Sequence, residues 1–388
     1  MTNRRVNFPG VGPELAHGCS GGSMNAATKV GPYKSSEPDR GRRASGCARC
    51  SRIFVTTSLL LSVAIGRAAE QIALSGRAMG TEWSVTFEQP GSPLERARVQ
   101  RQVADRLEAL EQQFSTYRPH SIISRFNAAR HTAWFPIDRE MMEVATMSRA
   151  VSELGGGAFD VTVHPLVQLW GFGVTRRRNC LPSAPEIAAA REFVDWRQLD
   201  VRMSPPALRK ARPQVAVDFS SMAKGFAADE VSDLLGRLGA PNHLVRIGGD
   251  LKSGGSKRSS NGWRTGIELP SSESRGLACV VVLRGHALST SGDYRNFFEA
   301  GGRRFGHIID PRTGEPVAGT LASVSVIHAS GAMSSALATA LFVLGLDDGY
   351  RLAREQQLAC LFQWRDGAEM AWRATPEFEA LIVKRDSL

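Results

Sequence analysis

The chain has 388 residues, 42 % of them hydrophobic and 22 % charged, the balance of a globular protein with a proper core. Its formal charge is +10, but residues 1 to 69 hold ten Lys/Arg against three Asp/Glu, a net of +7 that leaves +3 for the rest. The basicity therefore belongs to the leader and makes no case for nucleic acid, and no internal repeat or heptad pattern points to a solenoid or a coiled coil.

Residues 1 to 50 are rich in Gly, Ser, Pro and Arg without periodicity and read as disordered. Ile53 to Ile65 is a 13-residue apolar run after basic residues, followed by Gly66-Arg67-Ala68-Ala69. That order is the pattern of a secretory signal, and the run is short for a membrane span. The expected division is a leader, 1–69, and a folded domain, 70–388. Arg42-Arg43 is a twin arginine that stands well before the apolar run. Cys47 and Cys50 form a CxxC, but no second pair or His cluster completes a metal site. Cys279, in ACVVVL, reads as a small core residue.

Gln71 to Phe87 predicts two short strands around Met79-Gly80-Thr81, which serves either as a turn or as a close backbone approach. Val99, Val103, Leu107 and Leu110 recur at helical spacing within Leu94 to Phe114, and Pro119 stops that helix. Arg139 to Leu154 predicts a second helix, closed by Gly155-Gly156-Gly157. Ala158 to Gly173 begins with FDVTV, read as a strand. Asp160 interrupts it, either as a ligand contact or as a turn cap. Thr175 to Arg212 reads mostly as a variable surface segment, with an amphipathic piece near Ile187 to Trp196. Val215 to Leu238 predicts a strand, VAVDF, running into a helix, and such a junction points N–H groups and a positive dipole end at an anion. Leu244 to Leu251 is read as a strand with a Gly pair, and Trp263 to Leu269 and Cys279 to Leu283 as further strands. Leu321 to Ile327 predicts an alternating strand. Ser334 to Leu344 predicts a helix of small residues with Ser335 and Thr339 on one face, capped by Gly345. Ala371 to Leu388 is expected to add a short strand and a final helix.

The densest chemistry lies in Ala287 to Pro316, ALSTSGDYRNFFEAGGRRFGHIIDPRTGEP. Tyr294 to Phe298 and Phe305 to Ile309 flank a Gly pair, which predicts a hairpin that sets SGDYRN beside HIIDPRTG. His307 is a base whose ordinary pKa is near neutrality. Asp310 and Arg312 are expected to orient His307 or a phosphate.

Taken together, AMGT, STYRPHSIISRFN, GGAFDVTVHPLVQLWGFG, DFSSMAKGFAAD, RIGGDL, STSGDYRNFFE, HIIDPRTGEP and ALATALFVLG stand in an order that resembles the FAD:protein FMN transferase family, the ApbE family. The resemblance covers about residues 72 to 385. It implies an α+β fold, two mixed α/β lobes with the flavin site in the cleft between them. It also implies an exported, periplasmic enzyme that splits FAD, attaches FMN through a phosphoester bond to a Thr or Ser of a target protein and releases AMP. The expected partners are FAD and an acceptor flavoprotein subunit of a membrane redox system, with association at the outer face of the inner membrane. By resemblance, FAD contacts fall on Met79, Tyr117, Ala158, Phe159, Asp160, Asp218, Lys224 and Ile308. Mg²⁺ is implied on the backbone oxygen of Ser221 and on the side chains of Ser335 and Thr339, and His307 is implied as the general acid or base.

One position departs from the family pattern. Where ADALATA carries an Asp, this chain has Ser335, and a hydroxyl is a weaker ligand for a hard cation than a carboxylate. Either metal binding is weak and needs the FAD phosphates, or another acid, Asp160 or Asp218, substitutes, or catalysis is lost and FAD is merely held. Two alternatives share the residues: an FAD-binding accessory protein of a membrane redox complex without transfer activity, and a hydrolase that splits FAD without an acceptor.

Overall fold

The computed structural model describes residues 70–90, 94–174, 181–257, 261–270, 276–367 and 369–385. The expected leader, its apolar run and its CxxC lie outside the described residues. From Glu70 on, the described residues pack as one compact unit. Among the described residues no helix is long and apolar enough to cross a membrane.

The organising element is an eight-stranded sheet. Its order is Gln71–Ala78, Thr81–Glu88, His243–Ile247, Asp250–Gly254, Ala287–Gly292, Leu321–His328, Ala359–Asp366 and Glu369–Ala374, and every neighbouring pair is antiparallel. The strands follow chain order, so the sheet is a meander interrupted by excursions. An antiparallel sheet with helices gathered on one face is the α+β arrangement that was expected.

Two helices cover that face. Ser220–Arg237 packs on the strands His243–Ile247 and Asp250–Gly254, and Gly331–Glu355 packs on Ala287–Gly292 and Leu321–His328. They also pack on each other at backbone contact. A Cβ on Gly225 would fall 2.1 Å from Gly331 O, and one on Gly331 would fall 2.4 Å from Gly225 O. Asp229, on the first helix, accepts hydrogen bonds from Ser330 Oγ, Gly331 N and Ala332 N, capping the second. The second helix breaks at Gly345 (φ +84°), the residue expected to cap it.

On the opposite face, the strands Trp263–Glu268, Leu277–Leu283 and Ile382–Arg385 form a small sheet. Ile267, Cys279, Val281, Leu288, Ile327, Leu361 and Phe378 make the core between the two sheets. Because both faces of Leu321–His328 are covered, its first seven residues are all buried and the expected alternation disappears. The end of the chain differs from expectation for a related reason. The final helix is a single turn, Pro376–Glu379, and Ile382–Arg385 then pairs with Leu277–Leu283, which gives the small sheet its third strand.

Two other readings change. VAVDF forms no strand. Its backbone is held by side chains instead: Asn127 pairs with both Val217 N and Val217 O, and the buried Lys210 Nζ donates to Val215 O and Phe126 O. FDVTV becomes a 3₁₀ turn, Val161–Val163, followed by the helix His164–Leu169, because Asp160 accepts from Thr162 N and Pro165 follows early in the helix. The segment read as variable surface contributes Leu199–Arg202 and Ala207–Lys210 to a three-stranded sheet with Phe135–Pro136; residues 175–180 are outside the described set.

Candidate active site

The excursions from the meander converge on one pocket of about 640 Å³. Its floor is sheet: Leu244, Arg246, the Gly248-Gly249 turn, Asp250 and Thr290 to Gly292. The helix pair adds Ser220, Ser221 and Lys224 from one member and Ser335 and Thr339 from the other. The segment Ala158 to Val167 and the hairpin residues Tyr294 to Asn296 and His307 to Ile309 close the sides. The Gly pair in RIGGDL is thus a turn between two strands rather than part of one, and it leaves Asp250 at the exit of the turn, facing the pocket.

The hairpin is placed by a second small core. Phe298 and Phe305 stack at 5.2 Å between centroids, Trp170 stacks on Phe305 at 5.6 Å, and Leu166, Ile187 and Ile309 complete the cluster. The strands Phe297–Ala300 and Arg303–Gly306 turn at Gly301-Gly302, as the sequence predicts. The pairing carries His307 to Asn296. His307 N donates to Asn296 O at 3.0 Å, and His307 Nδ1 lies 3.2 Å from the same oxygen. A carbonyl only accepts, so Nδ1 carries the proton and Nε2 is the basic nitrogen. Burial lowers the His307 pKa below its ordinary 6.5 and the Lys224 charge lowers it further, against the opposing pull of Asn296 O and Asp293. The imidazole is therefore neutral at pH 7.

The pocket also contains three buried carboxyls. Asp160 accepts from Thr162 N, Thr162 Oγ1 and Trp196 N, and burial raises its pKa to about 6. It is a turn cap, and it also lines the pocket. Burial alone would raise Asp218, but His164 and Ser220 outweigh it and keep Asp218 below the ordinary carboxylate range. Ser220 N donates to it at 2.8 Å, whereas His164 Nδ1, at 3.8 Å, is too far to be a hydrogen bond and acts as a nearby dipole or charge. Asp250 is raised by burial and faces Lys224, Ser289 and Ser335. Ser289 Oγ influences Asp250 yet makes no hydrogen bond of ordinary geometry, so it is a buried hydroxyl without a partner.

Of the residues named from sequence, Ala158, Phe159, Asp160, Asp218, Ser221, Lys224, His307, Ile308, Ser335 and Thr339 all line this pocket. Met79 and Tyr117 do not. Met79 (φ +52°) and Gly80 (φ +69°) form the hairpin tip between the first two strands. That tip rests on the pocket's rim, since a Cβ on Gly248 would fall 3.1 Å from Thr81 Oγ1. Tyr117 is 64 % exposed, and its hydroxyl donates to Phe172 O at 3.4 Å beside the aromatic cluster.

The roles expected for Asp310 and Arg312 need correction. Arg312 forms a two-point pair with Asp310, Nε to Oδ1 at 2.9 Å and Nη2 to Oδ2 at 2.8 Å, and neither residue lines the pocket. Two residues apart around Pro311, they satisfy each other, and Asn296 takes the place beside His307. The sequence offered Asn296 only as an amide without a role, and gave no role to His164 or Asp250. The signal for Asp250 was its position directly after a Gly pair. Among the described residues no cluster of three or more His, Cys, Asp or Glu could hold a metal.

These features define an α+β protein whose pocket brings together the start of a helix, a lysine and a neutral imidazole. Residues 79–362 match the ApbE family. An FAD:protein FMN transferase of Vibrio cholerae serotype O1 is 37 % identical over 332 residues, 86 % of this chain and 99 % of that protein. The protein of the same description from Escherichia coli K12 is 34 % identical over 319 residues, 81 % of this chain and 90 % of its own. Among solved structures, the flavin transferase ApbE from Vibrio cholerae superposes with a TM-score of 0.75 at 34 % identity, covering 81 % of this chain and 99 % of that one. The apo flavinyl transferase ApbE of Pseudomonas stutzeri gives 0.74 at 37 % identity, with 81 % and 97 % covered. The chain belongs to the ApbE family.

Proposed function

We propose that this chain is an FAD:protein FMN transferase: it binds FAD in the pocket and moves the FMN half to a Thr or Ser hydroxyl of an acceptor protein. The observation that carries this reading is the neutral His307 lining the same pocket as Lys224 and the start of the Ser220 helix. In the reaction, the acceptor oxygen bonds to the FMN-side phosphorus as the bond to the bridging diphosphate oxygen breaks, and AMP leaves. Nε2 of His307 takes the hydroxyl proton. Lys224 and the helix N-terminus hold the diphosphate oxygens, and Gly248-Gly249 lets the ligand lie against backbone.

Mg²⁺ belongs to the same reading. The oxygen-only donors lining the pocket fit a hard divalent cation: Ser221 through its backbone oxygen, and Ser335 and Thr339 through their hydroxyls. When bound it would neutralise charge developing on the diphosphate. The acceptor is a flavoprotein subunit of a membrane redox system, and the site of action is periplasmic, at the inner membrane; support comes from the basic leader and its apolar run, 53–65.

The test uses purified chain, FAD and an acceptor domain with a flavinylation Thr, with Mg²⁺ or with EDTA. Flavin on the acceptor is followed by mass and AMP by chromatography. Matched, metal-dependent labelling and AMP release is expected. Bound FAD with neither product overturns the enzyme reading. AMP and free FMN without labelling would make the chain a hydrolase.

A further inference from the structure

Ser335 leaves the Gly331 helix without a carboxylate in the pocket, and the two acids that the sequence offers in its place, Asp160 and Asp218, each already accept backbone hydrogen bonds. Asp160 is committed to Thr162 N, Thr162 Oγ1 and Trp196 N, and Asp218 is committed to Ser220 N. Asp250 differs from both. It is buried at 5 % exposure, lines the pocket, and comes from the sheet rather than from a loop. Its neighbours are the hydroxyls of Ser335 and Ser289 and the Lys224 ammonium. Ser289 Oγ has no hydrogen-bond partner, although more than nine-tenths of its residue is buried. A buried carboxylate beside a serine and an orphaned hydroxyl is an incomplete polar group, because buried oxygens of this kind are otherwise satisfied. Thr339 Oγ1 bonds to Ser335 O at 3.1 Å and to Ser291 Oγ at 3.0 Å, which fixes the Thr339 rotamer.

We propose that Asp250 is the anionic ligand of the divalent cation in this protein, taking over from the sheet the role that Ser335 cannot fill from the helix. The site then consists of the Asp250 carboxylate with the Ser221 backbone oxygen and the Ser335 and Thr339 hydroxyls, and the remaining positions fall to water or to diphosphate oxygens, as a hard cation with few protein ligands requires. Lys224 is the competitor: without the cation it is the positive charge that Asp250 faces. Cation binding frees Lys224 for the phosphate. The inference rests on the transferase reading for its cation and is tested apart from it.

The experiment is Mn²⁺ binding to the full chain, read from the loss of the free-ion paramagnetic resonance signal, with Mn²⁺ alone and with ADP. Wild-type chain is expected to bind. Asp250→Asn is expected to bind at least about tenfold more weakly, given that even an outer-shell partner of a metal site costs about 10- to 100-fold. Adding Ser335→Asp to that variant should recover most of the affinity. Unchanged affinity in Asp250→Asn, or no binding by the wild type under either condition, overturns the proposal. In case Asp250→Asn does not fold, Fe²⁺ with ascorbate and peroxide is used on the unsubstituted chain. Cuts near Asp250 and Ser335 support the assignment, and cuts confined elsewhere overturn it. FMN transfer by the wild type is scored in parallel. Transfer with unchanged Mn²⁺ affinity in Asp250→Asn removes the ligand but keeps the transferase, and Asp250-dependent binding without AMP or labelling does the reverse.

Discussion

At the scale of single residues, the chemistry depends on one imidazole held in one tautomer. The Asn296 carbonyl fixes the proton on His307 Nδ1, and burial, with Lys224, keeps the ring neutral. His307→Gln should lower FMN transfer by about 10²- to 10⁴-fold, the usual contribution of a general base, and leave FAD affinity nearly unchanged. Single-turnover transfer with parallel fluorescence titration of FAD separates the two. The pH dependence follows from the direction of the shift. A histidine whose pKa is lowered stays deprotonated to lower pH, so transfer should be flat around pH 7 and fall only below about 6.5, the ordinary histidine value. A profile still rising between pH 7 and 8 would assign the base to another group. Lys210 acts on stability instead. Burial lowers its pKa to about 8, so it is charged at neutral pH while its ammonium donates to Phe126 O and Val215 O. Lys210→Met should cost about 2–3 kcal/mol in denaturant unfolding, because it strands buried carbonyls.

Between elements, the decisive contact is the crossing of the two helices at Gly225 and Gly331. It sets Ser221 and Lys224 against Ser335 and Thr339 across one pocket. Gly225→Ala places a methyl 2.1 Å from Gly331 O, and the backbone there cannot retreat without moving a helix. The expected cost is about 3 kcal/mol, as for overpacking in a dense core. FAD affinity should fall with it, because the phosphate-facing end of one helix shifts relative to the other. Urea unfolding and FAD titration of the same variant check both effects. Stability that falls with affinity unchanged would show that the crossing does not set the site.

For the molecule as a whole, an antiparallel meander supplies a rigid floor, and its excursions supply the walls. Among the described residues, the two apolar clusters are built from Val163 onward and the sheet begins at Gln71. A chain lacking residues 1–69 should therefore unfold in one cooperative transition at the same midpoint as the full chain and bind FAD equally well, measured by calorimetry and fluorescence. A loss of either would give the leader a part in the fold. Much of this was legible in the sequence wherever the physics is local. Helical spacing marked Arg96–Phe114 and Arg139–Leu154, the aromatic runs around Gly301-Gly302 marked the hairpin, and ordered motifs marked the pocket residues from Ala158 to Thr339. Local signals failed where a side chain or a distant strand satisfied the backbone. Asn127 and Lys210 replaced a sheet around Val215–Val217, and Leu277–Leu283 recruited the end of the chain as a strand. Those partners are far apart in sequence, and no periodicity announces them. The same limit explains the acids. Composition and motif order determined that carboxylates, hydroxyls, one lysine and one histidine would gather. Only the packed structure decided that Asp310 turns to Arg312, that Asp160 caps a turn, and that Asp250 comes to face Ser335, because a buried charge is assigned by whichever partner the fold brings within reach.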